Sequence, residues 1–211
     1  MAPSADWLAA WGFLGVGPPP SGEWDRLAAA YGAQDRAYHN QRHLNECFEH
    51  LAAVREELAE PAEVMLALWF HDVVYDSRRP DNEERSAAWA REVMRTAGCA
   101  ATTIEAVSAL ILSTAHHAPP ELGDGRFLID IDLAILGAAP ERFDEYEGQI
   151  RREYAWVEEA AFREGRAEVL RRFLDRPSVF ATDHFRARFE RRARANMTQS
   201  LQHLTASRSP H

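Results

Sequence analysis

The chain has 211 residues, 46% hydrophobic and 27% charged, the balance of a soluble globular protein long enough for a sizeable core. A formal charge of −9 excludes a broad non-specific nucleic-acid surface. All 24 basic side chains are arginine, which excludes lysine Schiff-base chemistry and Walker-type phosphate loops and leaves any phosphate clamp to arginine.

Residues 1–22 are rich in Trp, Gly and Pro and predict a helical turn that docks through Trp7, Trp11 and Leu14, then a stiff turn. Leu44, Cys47, Phe48, Leu51, Val54 and Leu58 recur at spacings of three and four, which predicts one long amphipathic helix. Pro61 opens the next helix at a favoured early position. Its run from Val64 to Phe70 is apolar all round, so this helix should be central and buried, with His71 and Asp72 at its C-terminal end. After the loop 76–81 come helices over 82–97, ending near Gly98, and over 101–117, stopping before Pro119-Pro120.

Residues 127–137 begin with strand-like alternation, but no partner strand is visible, and Ala134 to Gly137 favour a short buried helix with a glycine C-cap. Helices follow over 140–157 and 163–174. Thr182 or Asp183 caps a final one whose inner face is Phe185, Phe189, Ala193, Met197, Leu201 and Leu204. The tail 205–211 is expected to be flexible. The fold class is all-α, as one domain over 1–211 with its core at about 25–204.

No apolar run reaches the ~18 residues that span a bilayer, and no basic region precedes an apolar stretch at the N-terminus. A cytoplasmic protein, monomer or homodimer, with no membrane partner is expected. Cys47 and Cys99 are far apart and read as reduced core thiols.

The chemistry-bearing residues are scattered: Tyr38-His39-Asn40-x-x-His43, His71-Asp72, and Asp130-x-Asp132. Together they offer two neutral imidazoles and two carboxylates, a donor set for borderline to hard divalent ions. Adjacent helical residues point about 100° apart, so His71 and Asp72 can share an ion only at a helix edge, with His43 and one aspartate closing the shell. Residues two apart point about 200° apart, so only one of Asp130 and Asp132 should reach it. Asp130, Asp132 and His71 lie within apolar runs, where a buried charge is unfavourable unless paired or metal-bound.

In this order the residues resemble the HD superfamily of metal-dependent phosphohydrolases, a helical-bundle fold with the pattern H…HD…D, read here as His43…His71-Asp72…Asp130. A closer similarity, to a group of small bacterial HD phosphohydrolases, rests on the strings 38–43, 68–76, 82–87, 129–137 and 150–154. It covers roughly 25–204, with a C-terminal helix packed on the bundle. The resemblance implies His43, His71, Asp72 and Asp130 as metal ligands, Asp130 because the first aspartate of the family's D-x-D segment is the usual one, with Asp132 supporting. It implies one divalent ion (Mn, Co, Ni, Fe, Zn or Mg), with room for a second, and a small phosphorylated substrate such as a nucleotide. Asp72, Asp76 and Glu83 are the catalytic candidates. Glu83 also suits a helix N-terminus as a carboxylate facing the dipole. His39, Asn40, His116, His117 and Arg151 are the substrate-binding candidates. Two alternatives stand beside this reading: a dinuclear iron oxygenase, which needs at least six ligands, and a non-catalytic module that binds metal or nucleotide.

Overall fold

Some helix limits follow punctuation in the sequence: Pro61 and Pro140 each stand in the first turn of a helix, and Gly98 closes one. The computed structural model of the chain describes residues 5–116 and 122–206, and among these no strand occurs; the fold is all-α. The chain divides into two compact units, Met1–Ile131 and Asp132–His211, and the division falls inside one helix, Gly125–Leu133.

The first unit holds α1 (Ala5–Phe13), α2 (Glu23–Tyr31), α3 (Gln41–Val54), α4 (Pro61–Phe70), α5 (Asn82–Thr96), α6 (Ala101–Ser113) and α7 (Gly125–Leu133), the last carried through to its end. Helix α4 is central, packing against α1, α3, α5 and α6. Its residues Val64 to Phe70 are all buried, as an all-round apolar helix requires. Trp7 and Trp11 of α1 are buried, and Trp7 meets Trp69 of α4 edge-on with ring centroids 5.8 Å apart. Pro61 occupies the first turn of α4, where its missing N–H costs nothing.

Gly98 ends α5 at φ +82°, with Cys99 N–H bonded to Met94 O at 3.0 Å and Gly98 N–H to Arg95 O at 3.1 Å. Those two bonds close the helix as a Schellman turn, which favours glycine at the left-handed position. Helix α2 has no counterpart among the sequence expectations. The long helix expected through Leu58 ends at Val54 and tightens into a 3₁₀ turn, Arg55–Glu57. Residues 207–211, most of the expected flexible tail, lie outside the described residues.

The second unit holds the 3₁₀ turn Ala134–Gly137, α8 (Pro140–Glu153), α9 (Glu159–Leu174), the short turn α10 (Asp183–Phe185), a π-helical turn (Arg186–Glu190) and α11 (Arg191–Ala206). The inner face of the last helix is confirmed at Phe185, Phe189, Ala193 and Met197, whereas Leu201 and Leu204 are half-buried. Glu190 organises the chain ahead of the π turn, accepting from Val179 N–H at 3.0 Å, Phe180 N–H at 3.2 Å, Ser178 Oγ at 3.0 Å and Arg194 Nε at 2.7 Å. Burial opposes its ionisation, but these bonds outweigh burial and hold the carboxyl below its usual range.

Gly137 corrects one expectation. It is not a left-handed helix cap; the positive-φ glycines among the described residues are Gly15, Gly22, Gly98 and Gly123. Glycine is needed because a Cβ there would stand 2.6 Å from Phe189 Cβ and 2.9 Å from Phe189 O. Asn196 and Arg192 of α11 grip the same turn, Asn196 Nδ2 donating to Leu136 O at 2.9 Å and Arg192 Nε to Gly137 O at 2.7 Å. The neighbour includes backbone, so it cannot swing aside. Gly137→Ala should therefore destabilise the protein by about 1–3 kcal/mol, as overpacking does, measured as a fall in urea midpoint.

Candidate metal centre

The site begins with a helix N-terminus. Asn40 is extended (φ −127°, ψ −173°) and caps α3, its Oδ1 accepting from Arg42 N–H at 2.8 Å and its Nδ2 donating to Ala37 O at 3.0 Å. His43 therefore falls in the first turn, on the face that also buries Leu44, Cys47 and Leu51, and is itself 2% exposed. Cys47, one turn on, places its sulfur 3.8 Å from both ring nitrogens of His43.

The other half is the C-terminus of α4, where backbone carbonyls lose their helical partners and must find others. His71 N–H bonds to Ala67 O at 2.8 Å and Val73 N–H to Phe70 O at 3.1 Å. Side chains take four more: His71 Nδ1 at Leu68 O (2.8 Å), Tyr31 hydroxyl at Trp69 O (3.2 Å), Arg36 at Asp72 O (2.6 Å) and at Val73 O (2.9 Å). Ser86 Oγ of α5 accepts from Val74 N–H at 3.1 Å and donates to Val74 O at 3.3 Å.

The bond to Leu68 O has a chemical consequence. A carbonyl only accepts, so Nδ1 of His71 carries the proton and Nε2 presents a lone pair. That Nε2 lies 3.3 Å from Nε2 of His43, in a region where His71 is 1% exposed. The lone pair can take a proton from His43 or a cation that both rings share. Asp72 Oδ2 is 3.1 Å from His71 Nε2 and 3.6 Å from His43 Nε2. The fourth member is Asp132 of α7, and ligand atoms of His43, His71, Asp72 and Asp132 all lie within 4.8 Å of one another.

These separations fit a divalent ion. Two donors each about 2.1 Å from one ion at a tetrahedral angle stand about 3.4 Å apart. The charge also fits, since two buried neutral imidazoles and two carboxylates balance a dication. Asp72 leaves its trace on Tyr31, whose hydroxyl is pushed well above its ordinary pKa by burial first and by the Asp72 charge second.

The group takes in the other aspartate of the pair. Asp132, not Asp130, joins the two histidines and Asp72; Asp130, two residues earlier and 0% exposed, is not a member of the group. The helix allows only one of the two, because they diverge by about 200°.

Among the described residues, the other sequence candidates are not members of that group. Asp76 is half-buried in the loop, its Oδ1 accepting from Arg78 N–H at 2.9 Å, and Asn82 bridges its backbone. Glu83 is half-buried in the first turn of α5. His39 stacks on Tyr75 with centroids 3.9 Å apart, 6.0 Å from the His43 ring. Asn40 is a helix cap, and both ends of its amide serve the backbone.

Arg151 bonds to a local turn. Its guanidinium closes the turn between α8 and α9, on Tyr154 O (2.7 Å), Val157 O (3.2 Å) and Glu159 (2.9 Å). His117 and the side chain of His116 lie outside what the structure describes. Arg36, Tyr31 and Ser86 were not candidates. Their role is to satisfy backbone oxygens, which no residue spacing announces.

The class defined so far is a helical protein with a buried group of two histidines and two aspartates able to hold a divalent ion. Compared with family models, with curated proteins and with solved structures, the chain matches none. Among the described residues no helix is long and apolar enough to cross a membrane.

The two aspartates give a sharp comparison. Asp132→Asn should weaken Mn²⁺ binding at least about 100-fold, beyond the 10–100-fold usual for residues that only support a ligand. Asp130→Asn should leave it within that supporting range or better. Isothermal titration of both variants reads the order, and the reverse order would restore Asp130 as the ligand.

Proposed function

We propose that the protein is a metal-dependent phosphohydrolase of the HD type, acting on a phosphate ester of a small metabolite, with nucleotides the favoured substrate class. The observation that carries this reading is the pair of Nε2 atoms 3.3 Å apart with the Asp72 carboxylate against both. It agrees with the ordered H…HD…D pattern, with Asp132 in the final place.

His43, His71, Asp72 and Asp132 would hold the ion. When bound, such an ion would supply Lewis-acid polarisation of a phosphoryl oxygen and a more acidic water. The chain supplies the rest. His71 is locked by Leu68 O in the tautomer that leaves Nε2 open, so no rearrangement precedes binding. Asp76 in the loop or Glu83 on α5, each a half-buried acid that follows the pair, would accept the proton of the hydrolytic water. With four members in the group among the described residues, a single ion fits better than the six-ligand dinuclear iron centre of an oxygenase.

The test is a screen of phosphorylated metabolites with Mn²⁺, Co²⁺, Ni²⁺ and Mg²⁺, run on the parent and on Asp72→Ala. Phosphate release that requires added metal and disappears in Asp72→Ala is the expected result. A variant that retains full activity contradicts the mechanism. Ligand-induced stabilisation without any product would instead indicate a binding module.

A further inference from the structure

Arg36 stands in the connection between α2 and α3 and is only 9% exposed. Its hydrogen bonds go to backbone oxygens: Nη1 donates to Asp72 O at 2.6 Å and reaches His39 O at 3.4 Å, and Nη2 donates to Val73 O at 2.9 Å. Among the described residues none of its bonds is to a carboxylate. A buried cation facing neutral acceptors is unfavourable unless its geometry achieves something a neutral donor cannot. Tyr31 shows the neutral solution, one hydroxyl on one carbonyl of the same helix end.

The guanidinium adds a rigid planar fork. Two of its nitrogens hold successive carbonyls, those of Asp72 and Val73, and so fix the peptide plane that carries the Asp72 side chain. The contact with His39 O ties the same group to the segment leading into α3, four residues before His43. The rings of Tyr31 and Tyr75, with centroids 5.5 and 5.9 Å from the guanidinium carbon, offset part of the charge.

We propose that Arg36 is a positioning residue of the metal centre. It aligns the backbone of Asp72 with that leading to His43, so that the carboxylate and the imidazole are correctly spaced before the ion arrives. The proposal rests on the metal reading of His43, His71, Asp72 and Asp132. It extends that reading to a residue whose bonds are all to backbone.

The test uses the full chain and Arg36→Lys, whose single ammonium keeps the charge but cannot span two carbonyls. Co²⁺ is titrated into metal-free protein and followed by its visible d–d absorption, and amide hydrogen exchange is measured on the same metal-free samples. R36K should bind Co²⁺ about 10–100-fold more weakly, with an altered band shape, as loss of an orienting partner does. Its amides over 71–76 should exchange about tenfold faster while those of α6 and α9 hold the parent rate. Tyr31→Phe, which removes only a neutral cap, should keep the parent band shape.

Parent-like Co²⁺ affinity and parent-like exchange over 71–76 in R36K would overturn the proposal. Loss of helical circular dichroism in both R36K and Arg36→Gln would overturn it too, because the role would then be folding rather than alignment. A parent chain that takes up no Co²⁺ removes the metal reading and the proposal with it. That outcome is distinct from a parent and an R36K that bind equally well.

Discussion

The candidate centre depends on how one buried helix stops. Helix α4 is apolar on all sides and fixed by four neighbouring helices, so its last carbonyls have no water to turn to. Each of those named above is met by a specific donor: a backbone N–H, the ring of His71, the hydroxyl of Tyr31 or the fork of Arg36. The bond that satisfies Leu68 O is the one that sets the His71 tautomer. Helix termination and the setting of the His71 tautomer are therefore one event, and a group able to hold a metal is built from the ordinary need to satisfy buried backbone.

That coupling explains how the His-Asp pair converges although neighbouring helical residues diverge. Helix α4 ends at Phe70, so His71 is its cap and Asp72 lies beyond the regular turn. Asp72 Oδ2 can then approach His71 Nε2 to 3.1 Å while His43 closes from α3. The burial of both imidazoles keeps solvent from competing for their lone pairs, and the two carboxylates supply the charge that a dication needs.

Much of this was legible in the sequence because the signals were periodic or local. The all-round apolar run of α4, the prolines that open α4 and α8, and Gly98 after α5 each carry their own physical cause, and the helices follow. His71 was legible as a polar group in an apolar run, and His43 and Asp72 through their order and spacing along the chain. The choice between Asp130 and Asp132 was not, because both lie in the same apolar run and only the rotation of α7 separates them. Gly137 looked like a cap from sequence, yet the reason for glycine is Phe189, fifty-two positions away in the chain. Arg36 was hidden for a similar reason: backbone oxygens look alike in every sequence, so an arginine that serves them leaves no motif. Arg151 shows the converse, an arginine on a promising helix whose donors go to a local turn.

His43, His71, Asp72 and Asp132 could together hold one divalent ion. Anomalous diffraction at the metal edge, from crystals grown with Mn²⁺ or Co²⁺, tests it most directly. One strong peak in contact with both Nε2 atoms, the Asp72 carboxylate and the Asp132 carboxylate is the expected result. A peak bound to Asp130 in place of Asp132, or no peak between the two imidazoles at saturating metal, would contradict it.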